Sequence, residues 1–211
     1  LIMGNMKLIF NFIIIFSLLF LLGCKGQKKK EIILDSTDIE AQMIEAYNAG
    51  IKALDEGDTL FAAKNFNTVE NIYPQSIWAS RSVLMAAYSY YSQDYYGDAI
   101  YELKRFIKNY PTNKNSPYAY FLIATCYYEL IVDEKKDLSS ILESKKYYQL
   151  IIDQYPKTDF SLDAKFKLLL IDNILASKEI YIGKYYFQRK KWIPAMNRFK
   201  NIINNYEETD Y

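Results

Sequence analysis

Twenty-one tyrosines, two cysteines and no histidine set the chemistry open to this 211-residue chain. Without histidine it lacks the usual general base near neutral pH and the commonest metal ligand. Cys24 and Cys126 stand 102 residues apart, and neither belongs to a metal-spacing motif. Asp and Glu are common, but they read as helix-end and solvated-face residues, with no pair set against an apolar wall. No catalytic residue, cofactor or metal is expected, and the chain does not read as an enzyme. What remains is modification of one thiol, Cys24, and recognition by aromatic and guanidinium groups.

Cys24 closes a leader. Met6-Lys7 is followed by an apolar run, residues 8–22, broken only by Asn11 and Ser17. That is signal-peptide length, short for a membrane span. Residues 1–5 read as a misplaced start. The run ends Leu21-Leu22-Gly23-Cys24, which resembles the bacterial lipoprotein cleavage box. The resemblance implies removal of residues 1–23, then acylation of the Cys24 sulfur and of the new amino terminus. A plain secretory leader with an incidental cysteine is the alternative. Each buried CH₂ contributes ~0.8 kcal/mol, and stable anchoring needs more than one acyl chain. Lys25 stands where an Asp would resemble an inner-membrane retention signal. The expected location is therefore the periplasmic face of the outer membrane, with residues 24–37 as a lipidated tether.

The elements behind Cys24 repeat. Gly50, Ala62 and Pro74 precede Ala87, Ala99 and Pro111 by 37 residues each, and Ala124 continues the series. A fixed period of this size is the signature of an αα-solenoid. Each hairpin is too small to bury its apolar face alone and needs its neighbours. Helices are predicted over 39–56 with Asp38 as N-cap, 60–72, 77–92, 96–109, from Pro117, to 154, 161–188 and 192–204. The period breaks once: Ala124 to Ser144 spans 20 residues where the earlier step is 12, and the extra eight fall in 132–142. Helix seven is unusually long, because Gly183 comes 27 residues after Pro156 where earlier repeats need 13. Cys126 reads as a small buried hydrophobe. The fold class is all-α, a superhelical solenoid with four visible repeats. Residues 38–131 form N-terminal repeats with a candidate substrate groove, 132–158 an insertion loop and closing helix, and 159–211 the long helix and fourth repeat. The net charge of +1 supplies no global field to recruit nucleic acid or membrane.

The unit resembles the tetratricopeptide repeat, through Gly50, Ala62, Phe66 and Pro74, then Ala87, Tyr90, Ala99 and Pro111. Ala124, Tyr127, Tyr148 and Pro156 follow, then Gly183, Tyr186, Trp192, Ala195 and Phe199. The whole chain resembles the BamD family (also ComL or YfiO) of outer-membrane assembly lipoproteins. Tyr73-Pro74, Tyr110-Pro111, the segment 155–164 and the run Leu175-Ala176…Glu179…Gly183…Tyr185-Tyr186…Arg189…Trp192…Ala195…Asn197-Arg198 carry the likeness. It implies a scaffold in the β-barrel assembly (BAM) complex. Its partners would be the periplasmic domain of a BamA-type insertase, other BAM lipoproteins and unfolded outer-membrane proteins. Asn197 and Arg198 lie where the family meets the insertase. Two departures stand out: Glu207 takes the usual proline place, and a fifth helix pair is expected beyond Tyr211. A generic tetratricopeptide lipoprotein serving another envelope complex is the alternative. A DNA-uptake role attached to the family name fits poorly with the balanced charge, and no nucleic acid is expected.

In an array of helix pairs, the first helix of each pair lines the inner curve. Spacings of three, four and three put Ile44, Tyr47, Ile51 and Leu54 on one face, as they do Arg81, Leu84, Tyr88 and Tyr91. Tyr118, Phe121, Thr125 and Tyr128 repeat the pattern. Such a strip suits an extended polypeptide ending in an aromatic residue and a carboxylate, which Arg81 could meet. The alternative is that a compositional drift toward tyrosine merely filled half-buried positions between repeats. Lys167, on the long helix, is expected to lie off this strip.

Overall fold

The structure, a computed structural model, describes residues 36–131 and 137–210. The leader, Cys24 and most of the tether lie outside the described residues. Eight helices follow one another there: α1 Ser36–Asp55, α2 Thr59–Ile72, α3 Ile77–Tyr91, α4 Tyr96–Asn109, α5 Ser116–Glu129, α6 Ser139–Gln154, α7 Asp159–Gln188 and α8 Trp192–Asn205. Each packs chiefly on its neighbours in the chain, with lesser contacts between α1 and α3 and between α5 and α7. That nearest-neighbour pattern is the one a solenoid requires.

The periodic small residues explain why the pairs close. Gly50 of α1 faces Phe66 of α2 so closely that an added Cβ would lie 2.7 Å from the ring. Gly183 of α7 faces Phe199 of α8, where a Cβ would lie 2.5 Å away. Between them, Ala87 and Leu103 share one fully buried cluster, and Ala124 and Tyr148 another. Small against large, one helix to the next, lets each pair approach without a void.

Three of the four pairs turn in the same way. Gly57, Asp94 and Lys190 each take a left-handed conformation, φ 81°, 63° and 57°. The following amide then reaches back five residues, Asp58 to Ala53, Tyr95 to Tyr90 and Lys191 to Tyr186. This closes the first helix with a Schellman-type bond. Asp58, Ser76 and Thr158 then cap α2, α3 and α7, each side chain accepting from the amide three residues on. The first helix starts at Ser36, so Asp38 lies inside its first turn instead of capping it. Its carboxylate still complements the positive end of the helix.

The second helices stop at tyrosine. Tyr73, Tyr110 and Tyr155 leave the helix at φ −149°, −129° and −129°, as a residue before proline must. Tyr206 stops α8 in the same way at φ −136°, although Glu207 follows. Its amide still reaches the Ile202 carbonyl at 2.9 Å.

One polar cluster departs from the expectation that acidic residues only punctuate ends and polar faces. Glu70 and Glu102 are 5% and 6% exposed. Arg105 of α4 donates to both carboxylates and to Asn67 Oδ1 (2.8 Å), and Tyr110 donates to Glu70 at 3.1 Å. Two buried carboxylates are tolerated because one guanidinium, one phenol and the Asn67 amide, which donates to Glu102 at 3.2 Å, satisfy them. The cluster ties α2 to α4.

Gly183→Ala is expected to lower the unfolding free energy by about 1–3 kcal/mol through overpacking. Lys190→Gly is expected to raise it by about 1 kcal/mol by relieving a left-handed residue. Urea unfolding followed by helical circular dichroism checks both. Midpoints equal to that of the parent would contradict this account of the pairs.

Candidate functional site

The first helices of pairs one to three carry the candidate groove. Tyr47 is half-buried, with its ring edge-on to Phe66 at 5.4 Å and to Trp78 at 5.2 Å. Arg81 is exposed, its guanidinium 5.6 Å from the Tyr47 ring centre and 5.9 Å from that of Trp78. No acidic side chain among the described residues pairs with it. It is thus held by two aromatic faces with its donors unspent.

Beside it, Arg81, Leu84, Met85, Tyr88, Asn115 and Tyr118 line a cleft of about 390 Å³. Four of the expected groove residues therefore meet in one place. Leu84 forms its floor, being only 6% exposed and part of the core shared by α3, α4 and α5. Tyr91 packs between Tyr88 (6.5 Å) and Tyr96 (5.9 Å). Tyr118 and Phe121 lean on Phe160 of α7, at 5.8 and 5.5 Å. Burial, foremost, with Tyr88 and Tyr91 nearby, pushes the Tyr118 phenol up to about 12. Tyr118 thus presents a neutral hydroxyl at any physiological pH.

Two positions differ from the expected strip. Thr125 is turned inward, its hydroxyl donating to the Phe121 carbonyl and sharing a hydrogen bond with the buried Tyr148 hydroxyl at 3.1 Å. Lys167 is not off the strip: its ammonium sits 4.7 Å over the Tyr128 ring. The long α7 passes back against α5, which brings it there. Sequence reasoning missed Trp78, Met85, Asn115 and Phe160. Trp78 was within reach, since stepping back three residues from Arg81 lands on it. Asn115 and Phe160 come from other segments and carry no local signal.

The second candidate place lies between α7 and α8. Arg198 donates from Nη1 to both oxygens of Glu179, at 3.1 and 3.2 Å. A carboxylate partner for Arg198 thus already exists within the chain. Asn197 is exposed beside it, and both line an open cleft with Tyr186, Ile193, Pro194 and Asn201. Cys126 is fully buried, its thiol pushed up to about 12 by desolvation. It has no access for chemistry. Among the described residues, no group of acidic and cysteine side chains could hold a metal ion.

Stacked helix pairs with clefts on their faces suit a binding scaffold. The family model for YfiO, described as an outer membrane lipoprotein, matches residues 39–211. The chain belongs to that family. A relative from Caulobacter vibrioides, an outer membrane protein assembly factor BamD, is 34% identical over 190 residues, covering 90% of this chain and 61% of its own length. The protein of that name from Rickettsia prowazekii is 36% identical over 187 residues, covering 89% and 72%. The chain therefore spans only part of each relative's length. Among solved structures, the TPR2AB-domain:pHSP90 complex of yeast Sti1 is similar at a TM-score of 0.50 and 16% identity, over 78% of this chain and 64% of that one. This likeness shows the tetratricopeptide solenoid and nothing of ligand.

Tyr118 and Tyr148 are both pushed up to about 12, chiefly by burial. Unfolded phenols ionise near ~10. The folded state therefore holds more protons between those values, so its stability is whole below the lower one and falls as pH rises toward the upper. Urea midpoints measured across that alkaline window should fall less steeply in Tyr118→Phe and Tyr148→Phe than in the parent. Identical slopes would contradict the burial of these hydroxyls.

Proposed function

We propose that this chain is a lipid-anchored scaffold subunit of the outer-membrane β-barrel assembly complex. In this reading Cys24 carries the lipid, and the chain sits at the periplasmic face of the outer membrane. The fourth pair, through Asn197 and Arg198, meets the periplasmic domain of a BamA-type insertase, and the complex includes other lipoproteins. The first three pairs receive unfolded outer-membrane proteins. The observation that carries the reading is the family match over residues 39–211, joined by relatives that bear the name of outer membrane protein assembly factors.

The geometry suits the two binding roles. Arg81, stacked but without a carboxylate, is a receptor for a chain-terminal carboxylate, and Tyr88 and Tyr118 offer a flat apolar wall beside it. An extended peptide laid along such a wall gains area at little entropic cost from rigid rings. Arg198 acts through a preformed pair with Glu179, which fixes the guanidinium and leaves further donors for a partner.

Photo-crosslinkers placed at Tyr88, Tyr91 and Tyr128 are expected to capture outer-membrane proteins during assembly. Capture should be several-fold above that from Lys108, exposed on α4. Equal yields would reduce the groove to packing. For the insertase, Asn197→Ala and Arg198→Ala are expected to weaken binding of its periplasmic domain. Asn197→Ala should leave stability unchanged, because it breaks no pair. An unchanged dissociation constant in both variants would remove this surface from the reading.

A further inference from the structure

Residues 178–200 hold seven of the chain's 26 basic residues and one of its 25 acidic ones. That one, Glu179, is already bonded to Arg198. The balanced total charge thus hides a strongly positive end at the α7–α8 turn. Lys184, Arg189, Lys190, Lys191 and Lys200 are all exposed there, and none pairs with an acidic side chain among the described residues.

The other repeats act as an internal control. The same left-handed turn is built on Gly57, Asp94 and Lys190. In the first pair it is flanked by Asp55, Glu56 and Asp58, and in the second Asp94 and Asp98 stand at it. In the fourth it reads Arg189-Lys190-Lys191. One backbone geometry carries opposite charge, so the fold does not call for the cations. Lys190 even holds a conformation in which glycine would be relaxed.

Large apolar groups surround these charges. Phe187 and Trp192 meet edge-on at 5.2 Å and remain 55% and 57% exposed. Ile193 is 69% exposed. It shares its register with Leu60, which stays 54% exposed although α3 packs on α2. The exposure of Ile193 therefore belongs to the turn position itself, whereas Trp192 shares its register with the buried Thr59 and lines the outer face of α8 with Phe187. Arg189 lies 3.6 Å over the Tyr185 ring. Cations beside exposed Trp, Phe and Ile are the pattern of a surface that lies in the headgroup layer. Nucleic acid would satisfy the charges but leave Ile193 in water, and an acidic polypeptide is the competing occupant that the test separates.

We propose that the α7–α8 turn docks on an anionic phospholipid surface. Arg189, Lys190 and Lys191 pair with headgroup phosphates, while Ile193 enters the acyl boundary. This goes beyond the scaffold reading and does not rest on it. Contact here would hold the fourth pair against the bilayer at a point distant in sequence from Cys24.

The test uses the full chain with Ile193→Cys or Leu60→Cys, labelled with an environment-sensitive dye. The chain is taken in its native lipidated form, with Cys24 acylated; the buried, weakly acidic thiol of Cys126 does not compete, and the parent chain labelled in parallel gives the background. Vesicles of brominated phosphatidylcholine, with or without phosphatidylglycerol, supply the quencher. The dye at position 193 is expected to be quenched several-fold more than at position 60 in anionic vesicles. The difference should vanish in neutral vesicles and in Lys190→Glu/Lys191→Glu. Equal quenching at the two positions, or quenching indifferent to lipid charge and to the double variant, would overturn the proposal. Binding of polyglutamate without vesicle quenching would also overturn it and assign the turn to an acidic polypeptide.

Discussion

Everything in the array depends on one steric relation: a residue with little or no side chain on one helix against a large side chain on the next. Gly50 meets Phe66 and Gly183 meets Phe199 at distances that admit no methyl group. Ala87 and Leu103, and Ala124 and Tyr148, hold the corresponding register in the middle pairs, each two within one buried cluster. Such a contact fixes how far two helices slide and rotate against each other. Because it recurs, each pair presents its neighbours with nearly the same surface, and the stack propagates. Lengthened connections are tolerated as long as the contact survives. The eight extra residues before Ser144 leave its hydroxyl bonded to the Ala124 carbonyl at 2.8 Å.

Polar links then fasten what packing has aligned. Arg105 joins α4 to α2 through Glu70, Lys145 joins α6 to α7 through Asp172, and Arg198 joins α8 to α7 through Glu179. Half-buried pairs of this kind contribute modestly to stability, but breaking one strands a charge. Their effect is to hold orientation along the array. A scaffold needs orientation, since its clefts take their shape from how consecutive pairs sit. The long α7 extends this, touching α5 as well as its own neighbours.

Much of this was legible in the residues. The 37-residue step is written in glycine, alanine and proline, the residue types that sterics force at close approaches and stops. The length of α7 followed from the delayed return of Gly183. The groove was half legible. Spacing of three and four places Arg81, Leu84, Tyr88 and Tyr91 on one helical face, but it cannot say what covers that face. Leu84 became a floor because it belongs to the core shared by α3, α4 and α5, Thr125 turned to Tyr148, and Lys167 came to rest over Tyr128. The Arg105 cluster was invisible because its members come from different repeats and each alone reads as a solvated residue. The Arg189-Lys190-Lys191 turn was masked by a total charge near zero. Only the common backbone of the three turns made its inversion of sign stand out.

The central claim is that a lipidated stack of helix pairs works as a subunit of the outer-membrane assembly complex, through surface and not through turnover. Co-purification tests it most directly. The native chain, captured from solubilised outer membrane and analysed by mass spectrometry, should bring with it a β-barrel insertase and further lipoproteins in near-fixed ratio. A preparation in which no insertase is enriched, or in which a different envelope complex travels with the chain, would contradict the account.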